Sequence, residues 1–343
     1  MVRVSKTTLR SPKLSPHLHW MFLSIIFFTA ALFGLYLHLS SKEQRMHENM
    51  IRASRSSALG IIESGKPYII YGTAWKEDQT SRLVSEAIRS GFRFVDTACQ
   101  PKHYREEGVG EGWSSAAQEL GLRRSDLFLQ TKFSSLNGQD PNSTPYDKTA
   151  SLEDQVRQSV EASLVNLRTS YLDSLVLHSP MSTHEDTMTV WRVFESLVDE
   201  KKVLGLGVSN CYDLAKFVKI YDGARVKPAV LQNRFYSKSG FDVGLRNFCK
   251  DKGIQYQSFW TLTGNRKALK TTDIEAIAAR KKLTPSTLMY AYMMTLGHTP
   301  LSGTTSRDHM DEDIAIMRRI HDGEEIFKDD ELKKMSDILG IPT

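Results

Sequence analysis

Residues 93–133 read RFVDTACQPKHYREEGVGEGWSSAAQELGLRRSDLFLQTKF. The stretch opens on an apolar run broken by one acid (Arg93–Ala98), passes a polar loop, and enters a helical period at Val109–Leu120. It closes on a second apolar run broken by one lysine, Leu127–Phe133. Short β-branched and aromatic runs on either side of a helical period predict a strand–helix–strand unit. Near-continuous apolar runs suit strands of a parallel sheet covered on both faces. An Asp or Lys buried in such a strand needs a partner, because either charge left alone there is costly. Asp96 and Lys132 therefore mark more than packing.

The same alternation extends in both directions. Further strand candidates are Tyr68–Thr73, Leu172–Ser179, Val203–Ser209, Ala229–Phe235, Ile254–Trp260 and Pro300–Thr304. Between them fall amphipathic stretches at Thr80–Arg89, Leu152–Leu167, Thr187–Leu197, Leu214–Tyr221, Val243–Lys252 and Arg307–Ile320. A longer one, Ile274–Met294, carries a break near Thr284-Pro285. Eight strands alternating with helices over about 285 residues predict an α/β fold, a (β/α)8 TIM barrel. The competing architecture, a doubly wound open sheet, would need a Gly-rich dinucleotide fingerprint after its first strand, and none follows here.

Before the barrel (residues 59–343) lie three segments of different character. Residues 1–19 form a basic tail, and residues 40–58 (SSKEQRMHENMIRASRSSA) read as a helical or flexible polar linker. Between them, residues 20–39 (WMFLSIIFFTAALFGLYLHL) contain no Lys, Arg, Asp or Glu. At 1.5 Å per residue a helix of this length spans about 30 Å, the thickness of a bilayer's hydrocarbon core. Trp20 at one end and Tyr36 and His38 at the other suit the interfacial zones. The expectation is a single transmembrane helix and a single-pass membrane protein. A cleaved signal or transit peptide is the rival reading, but its apolar stretch would be shorter and no small-residue cleavage site follows. Lys and Arg are evenly divided across the span, so charge does not orient it. Three cysteines without a pairing pattern (Cys99, Cys211, Cys249) suit a reducing compartment and favour a cytosolic placement of the globular part. The sequon Asn142-Ser143-Thr144 would take glycan only if the domain were luminal.

The net charge of +5 is a property of the N-terminus, for residues 1–56 carry +6 and the remainder −1. The globular part thus lacks the basic footprint of a nucleic-acid binder. The cysteines show no metal-like spacing, and no metal site is expected.

In a barrel of this kind function gathers at the C-terminal ends of the strands. Strand ends single out Asp96, Lys132 and His178, followed by Ser209-Asn210, Gln232 and Phe259-Trp260. Three ionisable residues on three successive strands point to one site.

These residues carry a family resemblance. The chain resembles the aldo-keto reductases, NAD(P)H-dependent barrel enzymes that reduce aldehydes and ketones. The likeness runs through VDTACQPKHYREEGVGEG, LFLQTKF, YLDSLVLHSP, GLGVSN, PAVLQNRFY and SGTTSRDHMDED, over about residues 66–320. It implies a catalytic tetrad of Asp96, Tyr104, Lys132 and His178. Tyr104 would be the general acid, its pKa of about 10 lowered by Lys132, with Asp96 holding the lysine and His178 orienting the carbonyl oxygen or sharing the proton. One departure stands out: the family's tyrosine follows its aspartate by five residues, and Tyr104 follows Asp96 by eight. A loop absorbs such an insert at little cost, and His103 is the nearest alternative acid.

The resemblance further implies NADPH, with NADH also possible. Ser209, Asn210 and Gln232 would meet the carboxamide, Phe259 would stack on the nicotinamide, and Trp260 and Leu262 would follow it. The family's Pro-Lys-Ser stretch, which holds the adenosine 2′-phosphate, corresponds to Ser302-Gly303-Thr304, then Thr305. The lysine is missing, and His309 stands for the usual arginine, although a phosphate favours a permanent cation. Glu312 and Asp313 would meet the adenine, and Trp75 would wall the substrate pocket. Residues 321–343 are short and charged, which leaves the pocket more open than in relatives with a long C-terminal loop. The implied partner is a small carbonyl compound, and the implied assembly a monomeric barrel. The alternative from another class is a non-catalytic cofactor-binding or scaffold/auxiliary protein that keeps the reductase fold; a purified barrel that binds no nicotinamide cofactor would remove the enzyme reading.

Overall fold

The computed structural model describes residues 57–342, so the basic tail, the apolar segment 20–39 and nearly all of the linker lie outside the described residues. Among the described residues no helix is long and apolar enough to cross a membrane.

Eight parallel strands close into a barrel in sequence order. They are β1 (Ile70–Gly72), β2 (Phe94–Asp96), β3 (Phe128–Phe133), β4 (Ser174–Leu177), β5 (Leu206–Ser209), β6 (Val230–Arg234), β7 (Gln255–Phe259) and β8 (Thr299–Ser302). The β1–β8 pairing, Ile70 with Leu301 and Tyr71 with Ser302, shuts the ring. Seven strands lie inside the expected runs, β8 begins one residue ahead of its run at Thr299, and all eight are shorter than expected. The trimmed ends, such as Tyr68 and Ile69, are buried without pairing in the ladder, so hydrophobicity alone could not place the boundary.

The helices form the outer ring, and their starts follow capping chemistry. Ser151, Thr183, Asp213, Thr271, Thr284 and Ser306 each accept a backbone N–H of the first turn through the side chain, which satisfies a donor the helix cannot. The expected long helix with a break is two helices, Thr272–Arg280 and Pro285–Thr295, with Pro285 in the first turn where its missing N–H costs nothing. Helix Glu106–Leu120 packs against Thr80–Ser90 and the end of Leu152–Asn166 through glycines. A Cβ at Gly112 would overlap Ser81's carbonyl, and one at Gly110 would overlap Asn166's.

Inside the barrel the layers are aromatic below and polar above. Tyr68 stacks on Phe94 with ring centroids 3.8 Å apart, and Phe94 meets Phe128 at 5.4 Å. Residues two apart on a strand share a face, so Asp96 stands above Phe94, and Gln130 and Lys132 above Phe128. The C-terminal segment adds an element that sequence reading treated as a tail. Helix Asp329–Leu339 buries Met335 and packs on Pro285–Thr295, with Tyr292 Oη 2.8 Å from Ser336 Oγ and Lys281 paired to Glu331 at 2.6 Å. It does not reach the mouth of the barrel: among the described residues none beyond Asp313 lines the cavity there.

Candidate active site

The C-terminal mouth holds a cavity of about 990 Å³, at the upper end of the roughly 300–1,000 Å³ typical of small-molecule sites. Its base is a buried ion pair. Lys132 Nζ donates to Asp96 Oδ2 at 2.6 Å and to the Thr97 carbonyl at 2.7 Å. Gln130 and Gln232 each donate Nε2 to Asp96 Oδ1, at 2.7 and 2.9 Å, and both also donate to Gln257 Oε1. Burial lowers the Lys132 pKa, and the Asp96 carboxylate opposes that shift. A buried ion pair is favourable only with good geometry and additional hydrogen bonds, and the glutamine cage supplies both.

Tyr104 stands over this pair, its ring 5.4 Å from Lys132 Nζ and 6.0 Å from the His178 ring. The lengthened loop reaches this position by folding on itself: His103 and Tyr104 both donate their backbone N–H to the Gln100 carbonyl. Among the described residues no hydrogen bond engages the Tyr104 hydroxyl. Its pKa is raised, not lowered as the sequence reading expected: enclosure by protein is the larger cause, and the Asp96 charge adds to it. The Lys132 charge is already committed to Asp96.

His178 follows β4, with Nδ1 2.6 Å from Ser134 Oγ. Burial, then the Lys132 charge, push its pKa down to about 3, so the ring is neutral at physiological pH. If Ser134 donates to Nδ1, Nε2 carries the proton.

The remaining candidates ring the same cavity with one exception. Asn210 donates to the His178 carbonyl at 2.9 Å and to Ser209 Oγ at 3.2 Å. Gln232 spends its amide donors on Asp96 and Gln257, leaving its oxygen for a ligand N–H. Trp75, Phe259, Trp260, Leu262, Gly303, Thr304, His309, Glu312 and Asp313 all line the cavity; Thr305 is exposed and does not. Asp313 accepts from Ser302 Oγ at 2.6 Å, and burial pushes its carboxyl up to about 7. His103, the alternative acid, also lines the cavity, its ring tilted against Trp75 with centroids 3.8 Å apart. Cys99 is buried against helix Leu152–Asn166, its Sγ on the Ser159 carbonyl, away from the mouth. All three cysteines are free.

Sequence reasoning missed several residues. Gln130 was within reach of it, since it shares Lys132's face in FLQTKF. Arg234, a charge at the end of β6, satisfies the rule that selected Asp96 and Lys132. Ser134, Gln257 and Lys76 gave no local signal: Lys76 is buried and donates to the Gly303 carbonyl from the opposite end of the chain.

Such a cavity fits a nicotinamide dinucleotide. It runs unbroken from Tyr104 and His178, past the Phe259 ring, to the polar residues at His309 and Glu312. Comparison with known proteins agrees. The model of the aldo/keto reductase family matches residues 58–333. A glyoxal reductase of Bacillus subtilis is 31% identical over 183 residues, which is 53% of this chain and 58% of that protein. An NAD(P)H-dependent D-xylose reductase of Kluyveromyces lactis is 26% identical over 76% of this chain and 86% of its own length. Among solved structures, the aldose reductase from Schistosoma japonicum shares the fold with a TM-score of 0.65 at 22% identity, covering 79% of this chain and 88% of that one. A Bombyx mori aldo-keto reductase solved in complex with NADP shares it with a TM-score of 0.64 at 18% identity, covering 79% and 89%. The chain belongs to the aldo/keto reductase family.

Proposed function

We propose that this protein is a membrane-anchored carbonyl reductase that converts an aldehyde or ketone to an alcohol with NADPH, NADH being a second possible donor. The observation that carries the reading is the facing of the Tyr104 phenol and the neutral His178 imidazole into one cavity above the Lys132–Asp96 pair. The names of the Bacillus and Kluyveromyces relatives, both carbonyl reductases, support it, and the NADP bound to the Bombyx protein supports the cofactor.

A bound nicotinamide supplies hydride to the carbonyl carbon. Negative charge then develops on the carbonyl oxygen, and preorganised donors stabilise it. Tyr104, whose raised pKa keeps it protonated across the neutral range, delivers the proton. His178 Nε2–H, with Nδ1 held by Ser134, orients the oxygen. Lys132, fixed by Asp96, would support the phenol ring from below, 5.4 Å from its centroid. Asn210, Ser209 and the free oxygen of Gln232 would hold the carboxamide, and Phe259 the ring face. Trp260 and Leu262 would continue along the dinucleotide, and Gly303, Thr304, His309, Glu312 and Asp313 would meet its adenosine end. Trp75 is two-thirds exposed with φ of 61°, a wall for the substrate. Residues 20–39 would anchor the barrel, with the catalytic domain cytosolic.

Tyr104→Phe tests the acid. In the full-length protein, aldehyde-dependent NADPH oxidation is expected to fall roughly 100-fold or more, with cofactor binding retained. Full activity in that variant would overturn the assignment.

A further inference from the structure

The end of β6 carries a charge that neither the tetrad nor the core uses. Arg234 lines the cavity, yet among the described residues it has no ion pair, and its Nε is buried without a hydrogen-bond partner. Three aromatic rings surround the guanidinium: Trp260 with its centroid 4.0 Å away, and Tyr236 and Phe259 at 5.6 Å. Aromatic faces attract a cation but accept nothing in the guanidinium plane. The terminal N–H groups, a fork that matches paired oxyanions, have no hydrogen-bond partner among the described residues and remain available at the cavity wall. Trp260 supports the arrangement at a conformational cost. It sits at φ of 56° with half its surface exposed, a backbone region unfavourable for a bulky residue.

We propose that Arg234 is an anion-binding residue that takes the diphosphate bridge of the dinucleotide. The assignment rests on the cofactor reading above. In the closed ring β6 stands opposite β2, so Arg234 lies across the mouth from the strand end that carries Asp96. Its register partner on β7 is Phe259, and it covers Trp260. It thus adjoins the two residues between which the nicotinamide end passes into the rest of the cofactor. A diphosphate, a 2′-phosphate and a substrate carboxylate share the chemistry this fork accepts; its place beside the β7 end selects the diphosphate, which NADH and NADPH have in common.

The test is dissociation constants for NADH and NADPH with the full-length protein in detergent, by ligand fluorescence, for wild type, Arg234→Met and Arg234→Lys. Arg234→Met keeps the stem between the rings and removes the fork. It is expected to weaken both cofactors equally, by about tenfold or more, and Arg234→Lys to recover part of the loss. Inorganic pyrophosphate is expected to displace NADH from the wild type, with affinity falling as salt rises, a result independent of how either variant folds. Weakening confined to NADPH would place the contact at the 2′-phosphate, and unchanged binding of both would place it at the substrate; either overturns the proposal. Wild-type protein that binds neither dinucleotide would instead remove the cofactor reading on which the proposal stands.

Discussion

At the scale of single residues, the cavity separates its charges by environment. Lys132 is buried beside Asp96, His178 is neutral, and Asp313 at the opposite end is pushed up to about 7 by burial. The last shift has a thermodynamic consequence. Between the unfolded carboxyl's pKa near 4 and about 7, the folded chain holds a proton that the unfolded chain has released. Stability therefore falls as pH rises through that window. Without cofactor, Asp313→Asn is expected to be more stable than wild type at pH 8 by about 2 to 4 kcal/mol, and indistinguishable near pH 4. Urea unfolding at the two pH values measures this; equal stability of the two proteins at pH 8 would refute it. The strand-end residues were legible because a charge inside an apolar run has few structural excuses. The direction of the Tyr104 shift was not, because it depends on how completely the loop and barrel enclose the phenol.

At the scale of elements, close approach between helices is written in glycine. Gly110 lies where helix Glu106–Leu120 meets the end of Leu152–Asn166, and a methyl there would overlap the Asn166 backbone carbonyl. Backbone cannot swing aside as a side chain can, so Gly110→Ala is expected to destabilise the barrel by roughly 1–3 kcal/mol, despite alanine's better helix propensity. Thermal unfolding checks it, and an unchanged or raised midpoint would show that the two helices can separate at no cost. The break at Thr284-Pro285 was legible from proline, whereas apolar period alone started two helices at Val109 and Thr187 that begin three residues earlier, at Glu106 and His184. The final helix, Asp329–Leu339, was not, because its apolar residues are sparse and only its partner, Pro285–Thr295, makes them a buried face.

At the scale of the whole molecule, a barrel with an open mouth follows a candidate membrane segment. If residues 20–39 anchor it, the full chain sediments with membranes through a high-salt wash and is released by detergent. A chain starting at residue 57 remains in the supernatant. Release of the full chain by salt alone would reduce the attachment to surface charge. Sequence alone determined the class of the fold, the order of its strands and the strand ends that bear Asp96, Lys132 and His178. Those are local properties: apolar runs of fixed period, helices between them, and charges where a buried strand tolerates none without a partner. Tertiary structure decided what meets what. The Gln130–Gln232–Gln257 cage around Asp96, Ser134 on His178 and Lys76 on Gly303 join residues far apart in the chain. Such contacts follow from ring closure and strand register, which no local pattern encodes.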